Sequence, residues 1–424
     1  MDDGVAARID AIKILNRLMD TSEFPDRMMV GVPPFRRGFV MDLVYTTLRN
    51  VRALDFVIEP MISREPQSHS LAALYLGSAQ ILKMPSVAEH AAVHATVEAI
   101  KELDGKFVAN FVNAILRNIL RQLPAIQSSL DSSPIAIRES HLEEQVERWE
   151  KEFGLERTEE ICKWDNLPAN ITAITIHNGP DVNTLLENFK NHGVEATLHP
   201  GRPEFAINIP HGSHAENLPG FSEGLFSIQD PATIESIKLL DVKPGMFVLD
   251  ACASPGGKSV QIGKLLENSG HLVSMDCWDD RLEPLEENIR RFGLSEICKI
   301  MKGDIRSITL KELGGKKFDR ILLDVPCSNT GGQRRRADSR WRFSADRLEK
   351  LNDTQMQILE NASTLLASHG RIVYSTCSLE KEENLELIKK FVKKSPKFTI
   401  AEYVQNIPPD NFMDGAFAAA IEMR

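Results

Sequence analysis

Two cysteines in the C-terminal half of the chain have neighbouring residues that favour a catalytic role. Cys327 follows a predicted fourth β-strand and Cys377 a predicted fifth, and each is flanked by small hydroxyl residues. Asp324 precedes the first of them. A cysteine attacks as a thiolate, and at the tip of a strand in an α/β sheet it would face a bound ligand. A lone cysteine is more often a small buried apolar residue, whereas this pair favours nucleophilic catalysis.

The element expected to hold that ligand is a strand, a tight turn and a helix. The apolar residues 247–249 predict a buried strand, Pro255-Gly256-Gly257 forces a turn, and residues 259–266 have helical spacing. Glycines let a backbone approach a ligand closely, and the first turn of a helix offers unpaired N–H groups. The turn matches neither the Gly-x-Gly-x-x-Gly dinucleotide pattern nor a complete phosphate loop, although Gly257-Lys258-Ser259 ends like one.

Acidic residues stand at the ends of three further predicted strands, at Asp276, Asp304 and Asp324. An acid at the tip of the second strand, about 20 residues past the turn, suits the two hydroxyls of a ribose. The alternation of strands and helices over residues 236–424 predicts a doubly wound α/β domain with a polar crevice. Its further strands are predicted over 271–275, 299–303, 318–323, 371–374 and 416–422, and its helices near 281–292, 345–366 and 382–392.

Helical spacing dominates the first part of the chain. Residues 1–125 predict an all-α bundle, in which Ser86 is the expected N-cap of one helix. Residues 126–154 are expected to form a linker and an amphipathic helix, and residues 155–235 a small α+β subdomain that could guide RNA. The predicted helices of the bundle are 7–19, 35–54, 71–82, 87–103 and 107–120. The predicted strands of the subdomain are 171–176, 196–198 and 205–209, with a helix over 181–191.

Composition limits the class of protein. The chain has 424 residues, 42% hydrophobic and 26% charged, which is typical of a globular protein with two or three domains. No stretch has the ~18 consecutive apolar residues of a membrane helix, and the acidic N-terminus is unlike a signal peptide, so a cytoplasmic location is expected. The six cysteines include no Cys-x-x-Cys pair, so we expect free thiols and no metal site. The net charge of −10 argues against a protein that coats nucleic acid, but it permits a local basic patch.

Short stretches in both halves of the chain resemble known modules. Three in the C-terminal domain, residues 250–258, 324–328 and 375–378, resemble the RNA 5-methylcytosine methyltransferases. The N-terminal helices resemble the NusB-type RNA-binding fold in residues 37–45, 91–98 and 111–117. Together they make the chain similar to the RsmB (Fmu/Sun) branch of 16S ribosomal RNA methyltransferases. The resemblance implies an all-α NusB-like bundle, a small α+β middle subdomain and a doubly wound, Rossmann-like methyltransferase domain.

The resemblance implies S-adenosylmethionine-dependent methylation of carbon 5 of a cytosine in RNA, with 16S ribosomal RNA or a small-subunit precursor as partner. A monomer is expected, although the sequence carries no signal for the oligomeric state. Cys377 would add to carbon 6 of the base, and Cys327 would assist removal of the carbon 5 proton and release of the enzyme. Asp324 would hold the base, and Lys258 could support Asp324 or the cofactor region electrostatically. Asp276 would bind the ribose hydroxyls, and Asp304 would lie near the adenine. The implied cofactor-binding residues are Cys252, Ala253, Ser254, Pro255, Gly256, Gly257, Lys258, Asp276, Asp304 and Asp324.

An arginine-rich stretch lies between the two cysteine motifs. Residues 334–342 contain five arginines and one tryptophan, which suit phosphate groups and a stacked base at the rim of the active site. Because the target base must leave its stack to enter a pocket, a loop or bulge of RNA is the expected substrate. The expected RNA-binding residues are Arg334, Arg335, Arg336, Arg340, Trp341 and Arg342.

Two positions depart from the resemblance. Val325 stands where the family usually has alanine and Asn329 where it usually has glycine, so that Asn329 could narrow the pocket. The same chemistry on transfer RNA or another ribosomal site stays an alternative. So does a non-catalytic RNA-binding factor built on the NusB-like half, which would not need both cysteines. An amino-group methyltransferase would favour Asn/Asp-Pro-Pro-Tyr/Phe after the fourth strand, where this chain has Asp324-Val325-Pro326-Cys327.

Overall fold

A computed structural model of the chain describes residues 2–21, 23–63, 66, 68–210 and 212–424. The chain divides into two compact units. The first comprises Met1–Asn166 together with Arg336–Arg342, and the second comprises Leu167–Arg335 together with Phe343–Arg424. Over the described ranges, no helix combines the length and the apolar character that crossing a bilayer requires.

The first unit is helical, as predicted. Helix α5 packs against α6, and both contact α1. The core between them contains fully buried apolar side chains such as Ile12, Leu43 and Leu76. Its helices are α1 (Asp3–Asp20), α2 (Pro25–Met28), α3 (Pro34–Arg49), α4 (Val51–Ile58), α5 (Ser68–Lys83), α6 (Glu89–Arg121), α7 (Leu123–Asp131), α8 (Ile135–Arg138), α9 (Glu143–Phe153) and α10 (Leu155–Asn166).

The helices differ from the prediction in several places. The helix predicted over 35–54 is two helices, because Asn50 leaves helical geometry (φ −119°, ψ 11°). The N-cap predicted at Ser86 is wrong: α6 begins three residues later, and its N-cap residue, Ala88, makes no side-chain capping bond. The predicted break between 87–103 and 107–120 is present, since Gly105 interrupts α6 (φ 83°, ψ 175°). The region expected to contain a polar linker is largely helical, because helices there bury apolar residues such as Leu130 in the bundle core.

The second unit begins with a small antiparallel sheet. Its strands lie in the order β2-β3-β1-β4. Phe189 and Phe226 pack edge to face in its core, with ring centroids 5.2 Å apart. The prediction missed the short strand β4. The elements are β1 (Ile171–Thr175), α11 (Val182–Asn191), β2 (Thr197–Leu198), β3 (Ala206–Ile209) and β4 (Phe226–Ile228).

A seven-stranded sheet forms the rest of the second unit, in the order β10-β11-β9-β8-β5-β6-β7. Strands β5 to β9 are parallel, and β11 runs antiparallel to both of its neighbours. Apolar clusters cover both faces, as expected for a doubly wound fold. The elements are α12 (Ile234–Leu240), β5 (Phe247–Asp250), α13 (Gly257–Leu265), β6 (His271–Asp276), α14 (Leu282–Arg291), β7 (Cys298–Lys302), β8 (Phe318–Asp324), α15 (Ala345–Leu365), β9 (Leu366–Thr376), α16 (Leu385–Lys394), β10 (Phe398–Asn406) and β11 (Ala416–Met423).

The order of these strands determines where a ligand can bind. Strand β5 lies between β6 and β8, so the chain winds away from β5 in both directions. In open α/β sheets the ligand crevice opens outside the carboxyl ends of the strands at this reversal. The parallel register of β8 and β9 pairs Asp324 with Ser375. The loops that follow these two residues therefore start side by side.

Candidate active site

The two cysteines predicted to act together are brought together by the loops after β8 and β9. Their Sγ atoms lie 3.3 Å apart. Cys327 is buried, whereas Cys377 is partly exposed. Backbone hydrogen bonds join the loops, since the Val325 N–H donates to the Ser375 carbonyl (3.1 Å) and the Gly331 N–H to the Cys377 carbonyl (3.0 Å). Cys377 is thus the member of the pair that a ligand in the crevice can reach.

Asn329 lies between the two cysteines. The Cys377 thiol donates a hydrogen bond to Oδ1 of Asn329 (2.8 Å), whose Nδ2 donates to the Cys327 carbonyl (3.2 Å). A carbonyl can only accept, so this second bond sets which end of the amide faces Cys377. Asn329 has a φ of 60°, a left-handed conformation that asparagine adopts more readily than most residues. The hydrogen bond with Cys377, together with burial, raises the pKa of the Cys327 thiol well above its usual value.

Lys258 and Asp324 form an ion pair in the same crevice. Nζ of Lys258 donates to Oδ2 of Asp324 (2.6 Å), and the Ser375 hydroxyl donates to Oδ1 (2.8 Å). Burial lowers the pKa of Lys258, but the charge and hydrogen bond of Asp324 outweigh it, so the net pKa is raised. The Asp324 side chain is still 37% exposed. A carboxylate that is oriented at both oxygens and yet exposed can hold the polar edge of a ligand.

The glycine turn between β5 and α13 contacts Asp276 at the tip of β6. The Ser254 N–H donates to Oδ2 of Asp276 (3.4 Å), and the Trp278 N–H donates to Oδ1 (3.2 Å). Gly256 has a φ of 105°, and a Cβ atom there would lie 2.9 Å from a methyl group of Leu285. The φ value therefore favours glycine at this position, and a side chain there would also displace the Leu285 methyl group. The predicted residues Cys252, Ala253, Pro255 and Gly257 lie in the same turn or at the start of α13.

Two other acids of the strand tips have protein partners. Asp304 lies two residues past β7, and its carboxyl accepts from Nη2 of Arg306 (2.6 Å). This hydrogen bond lowers the pKa of Asp304. Asp250, the last residue of β5, is fully buried and accepts from the Ser259 hydroxyl (2.6 Å). Burial raises the pKa of Asp250 to about 7, although the hydrogen bond from Ser259 opposes the shift.

Comparison with known proteins assigns the family. The family model described as 16S rRNA methyltransferase RsmB/F matches residues 237–421, and the NusB family model matches residues 6–121. The probable ribosomal RNA small subunit methyltransferase B of Bacillus subtilis (strain 168) is 33% identical over 368 residues, which are 85% of this chain and 81% of that protein. The chain belongs to the RsmB/F family of 16S rRNA methyltransferases. It is accordingly an RNA methyltransferase with a NusB-type helical domain.

Solved structures resemble the RsmB/F chain in fold. The crystal structure of PH0851 superposes with a TM-score of 0.81 at 23% identity, covering 99% of this chain and 98% of that one. The crystal structure of NSun6 from Pyrococcus horikoshii with SFG superposes with a TM-score of 0.59 at 21% identity, covering 67% of this chain and 99% of that one. Among the described residues of this chain, no group of three or more His, Cys, Asp or Glu side chains is placed to hold a metal ion.

The arginine-rich stretch of this RsmB/F chain is divided between the two units. In the second unit, Arg335 donates to Asp414 (2.6 Å) and to Asp230 (3.0 Å). Burial lowers the pKa of Arg335, but these two carboxylates outweigh it and raise the pKa overall. Arg334 donates to the Pro168 carbonyl (2.9 Å). Both guanidinium groups thus join segments of their own unit.

Arg340 is fully buried in the first unit. Its Nη1 donates to the carbonyls of Arg49 (2.8 Å) and Ser140 (2.7 Å) and to Oδ1 of Asn166 (3.0 Å). Burial lowers the pKa of Arg340 to about 10. Arg340 therefore has a structural role rather than the predicted RNA contact, since a buried side chain cannot reach a phosphate without unfolding its surroundings.

The remaining residues of the arginine-rich stretch differ in how far their side chains are exposed to solvent. Nε1 of Trp341 donates to the Leu48 carbonyl (2.7 Å), and Arg342 pairs with Asp338 (3.0 Å). Arg336 is exposed. RNA contact by this stretch stays a prediction. Of the six residues expected to bind RNA, Arg336 is the one that lies at the surface.

Two residues of the site have no predicted role. Ser375 stands in a stretch that was recognised, and its hydroxyl orients Asp324 (2.8 Å). Glu383 lies beyond that stretch, is fully buried, and contacts the residues that follow both cysteines. A glutamate shortly before a helix is ordinary in sequence, so nothing in the pattern distinguished Glu383. Its contacts come from segments about fifty residues apart, and only the fold brings them together.

Proposed function

We propose that this RsmB/F chain transfers a methyl group from S-adenosylmethionine to carbon 5 of a cytosine in 16S ribosomal RNA, through a covalent bond between Cys377 and the base. The observation that carries the proposal is the pair of thiols 3.3 Å apart, with Asp324 and Lys258 in the same crevice. A binding factor would need neither thiol. An amino-group methyltransferase would not need a nucleophile at Cys377.

Covalent attack by Cys377 would make carbon 5 of the cytosine reactive enough to accept a methyl group. Carbon 5 of cytosine is too weakly nucleophilic to accept a methyl group unaided. Cys377 attacks as a thiolate, after its thiol proton has passed to solvent. When the Cys377 sulfur bonds to carbon 6, the electron pair of the 5,6 double bond moves to carbon 5. Asp324, held by Lys258 and Ser375, would bind the ring nitrogen or amino group of the base and stabilise the adduct. S-adenosylmethionine supplies an electrophilic methyl group when it is bound.

The pKa of Cys327 supports its assignment as the base that acts later. Its hydrogen bond with Cys377 is the largest cause of its raised pKa, and the charge of Cys377 adds to it. Once the Cys377 sulfur is bonded to carbon 6, that hydrogen bond and that charge are gone, so Cys327 loses its proton to solvent more readily. Cys327 can then take the carbon 5 proton. The electron pair of that C–H bond restores the double bond as the bond between carbon 6 and sulfur breaks.

The turn after β5 fits S-adenosylmethionine. Gly256 keeps a close-packed turn that a side chain would disrupt, and the buried Asp276 carboxyl beside it suits a pair of ribose hydroxyls. The crystal structure of NSun6, which has this fold, was determined with SFG, an analogue of S-adenosylmethionine, and this supports S-adenosylmethionine as the cofactor. Asp304 is already engaged by Arg306, so a place for it near the adenine stays a prediction.

The test uses the full chain, labelled S-adenosylmethionine and unmodified 16S ribosomal RNA. We expect the wild type to methylate cytosine, Cys377→Ala to be inactive, and Cys327→Ala to accumulate a protein–RNA adduct that survives denaturant. Incorporation into transfer RNA but not 16S RNA would retain the chemistry and overturn the substrate. Cofactor binding without incorporation or adduct on any RNA would favour a non-catalytic RNA-binding factor.

A further inference from the structure

A buried carboxyl group connects the two cysteine loops. The side chain of Glu383 accepts hydrogen bonds from the Ser328 N–H (3.0 Å), the Ser328 hydroxyl and the Ser378 hydroxyl. Ser328 directly follows Cys327, and Ser378 directly follows Cys377. One carboxyl group therefore contacts the neighbour of each thiol.

Glu383 is itself held on two sides. Nε2 of Gln355 donates to its Oε1 (2.8 Å) and also to the Pro326 carbonyl (2.9 Å), next to Cys327. The Tyr374 hydroxyl donates to the backbone carbonyl of Glu383 (2.7 Å). Hydrogen bonds to a carboxylate are stronger than neutral ones, and the low dielectric of a buried site strengthens them further. The position of the carboxyl group is thus set by α15 and β9 before a ligand binds.

The Glu383 side chain is fully buried, so it does not touch a ligand in the crevice. Its effect must pass through Ser328 and Ser378. The two thiols come from separate strands, and their 3.3 Å separation depends on how the two loops are tied together. We propose that Glu383 is a positioning residue that sets the alignment of the Cys327 and Cys377 thiols. This inference rests on the proposed two-cysteine function.

The hydrogen-bonding pattern predicts different results for two substitutions. Oε1 of Glu383 faces obligate donors, the Ser328 N–H and the Gln355 amide, whereas Oε2 faces two hydroxyls, which can also accept. In Glu383→Gln, the amide oxygen can accept from the Ser328 N–H and the Gln355 amide, and the amide NH2 can donate to the two hydroxyls. In Glu383→Ala, all of these donors lose the carboxyl group as an acceptor, and a cavity is left between the loops.

Thiol spacing can be measured without RNA. Phenylarsine oxide condenses with two neighbouring thiols, forming two arsenic–sulfur bonds and releasing water. We expect Glu383→Ala to bind it at least about 10-fold more weakly, because a loosened pair loses effective concentration. A misplacement of about 1 Å can lower catalysis about 100-fold, so we expect a loss of that order in kcat with little change in the KM for S-adenosylmethionine. Glu383→Gln should stay near wild type in both assays.

Glu386→Ala, on α16, is the matched control, and Cys327→Ala shows the arsenical binding that remains without the pair. Unchanged arsenical binding and kcat in a folded Glu383→Ala protein would overturn the inference, and so would a loss of kcat with unchanged arsenical binding. If Glu383→Ala fails to fold, Ser378→Ala removes one hydroxyl only, and an unchanged result there is equally decisive. If the wild type methylates no RNA while arsenical binding still depends on Glu383, the positioning role stands and the proposed function fails.

Discussion

Replacing Arg340 with methionine tests whether this arginine stabilises the first unit or binds RNA. The side chain is fully buried in the first unit, where its Nη1 donates to Arg49, Ser140 and Asn166. Methionine keeps the length and apolar stem of the side chain but removes the donors. The matched substitution is Arg336→Ala, in the same stretch but at an exposed position.

The size of the effect follows from the hydrogen bonds. Nη1 carries two hydrogens, so at most two of its three contacts, at 2.7, 2.8 and 3.0 Å, are of full strength. Two hydrogen bonds from a charged donor contribute about 3–6 kcal/mol. Removing the charge also removes the free-energy cost of burying it, which offsets part of this loss. We therefore expect Arg340→Met to destabilise the first unit by about 3 kcal/mol. That corresponds to a fall in melting temperature of about 6–12 °C for a unit of this size.

Thermal unfolding of the full chain by calorimetry, with RNA affinity from filter binding, tests this difference. We expect Arg340→Met to lower the melting temperature of one transition while RNA affinity below that transition is unchanged. Arg336→Ala should leave the melting temperature unchanged, and a contact with phosphate would appear as weaker RNA binding with a smaller salt dependence. If Arg340→Met unfolds at the wild-type temperature yet weakens RNA binding as Arg336→Ala does, the structural reading of Arg340 is refuted.

Two other predictions concern the cofactor edge of the sheet. The pKa of Asp250 is raised in the folded state from 3.8 to about 7, so its contribution to stability is complete below pH 3.8 and is lost as the pH rises through about 7. In calorimetry scans at a series of pH values, Asp250→Asn should therefore show a smaller fall in melting temperature over this pH range than the wild type. Parallel curves for the two proteins would contradict this. Gly256→Ala combines a φ of 105° with a 2.9 Å clash and should cost about 1–3 kcal/mol of strain, weakening S-adenosylmethionine binding in titration calorimetry about tenfold. Gly293→Ala, whose φ is 67° but whose Cβ would meet nothing within 4 Å, is the control, and equal affinities for the two variants would count against the clash.

The parts of the fold with a strong local pattern were predictable. Strands β5, β6 and β8 are short apolar runs that end in an acid, and this pattern placed Asp276 and Asp324 at the strand tips where the structure has them. Strand β10 was missed because it is an edge strand with several exposed residues, such as Glu402 and Tyr403, and it lacks an apolar run. Local pattern thus identifies strands that contain an apolar run more readily than strands that lack one.

The roles of the arginines were not predictable from local pattern. A run of arginines has the same composition whether it faces solvent or lies inside a domain. The acceptors of Arg340 are carbonyls of Arg49 and Ser140, which lie far away in the chain and carry no sequence signal, since every residue has a carbonyl. Only the fold shows that the run passes from one unit to the other after Arg335.

The meeting of the two thiols depends on register more than on residue type. Asp324 and Ser375 are paired across β8 and β9, and each cysteine follows its strand residue by two or three positions. A shift of the register by one residue would point the Ser375 side chain to the opposite face of the sheet and remove its bond to Asp324. Sequence shows that each cysteine closely follows its strand, but it does not show that β8 and β9 are neighbours. The adjacency of these strands, together with the carboxyl group of Glu383, turns two separate cysteine motifs into one site.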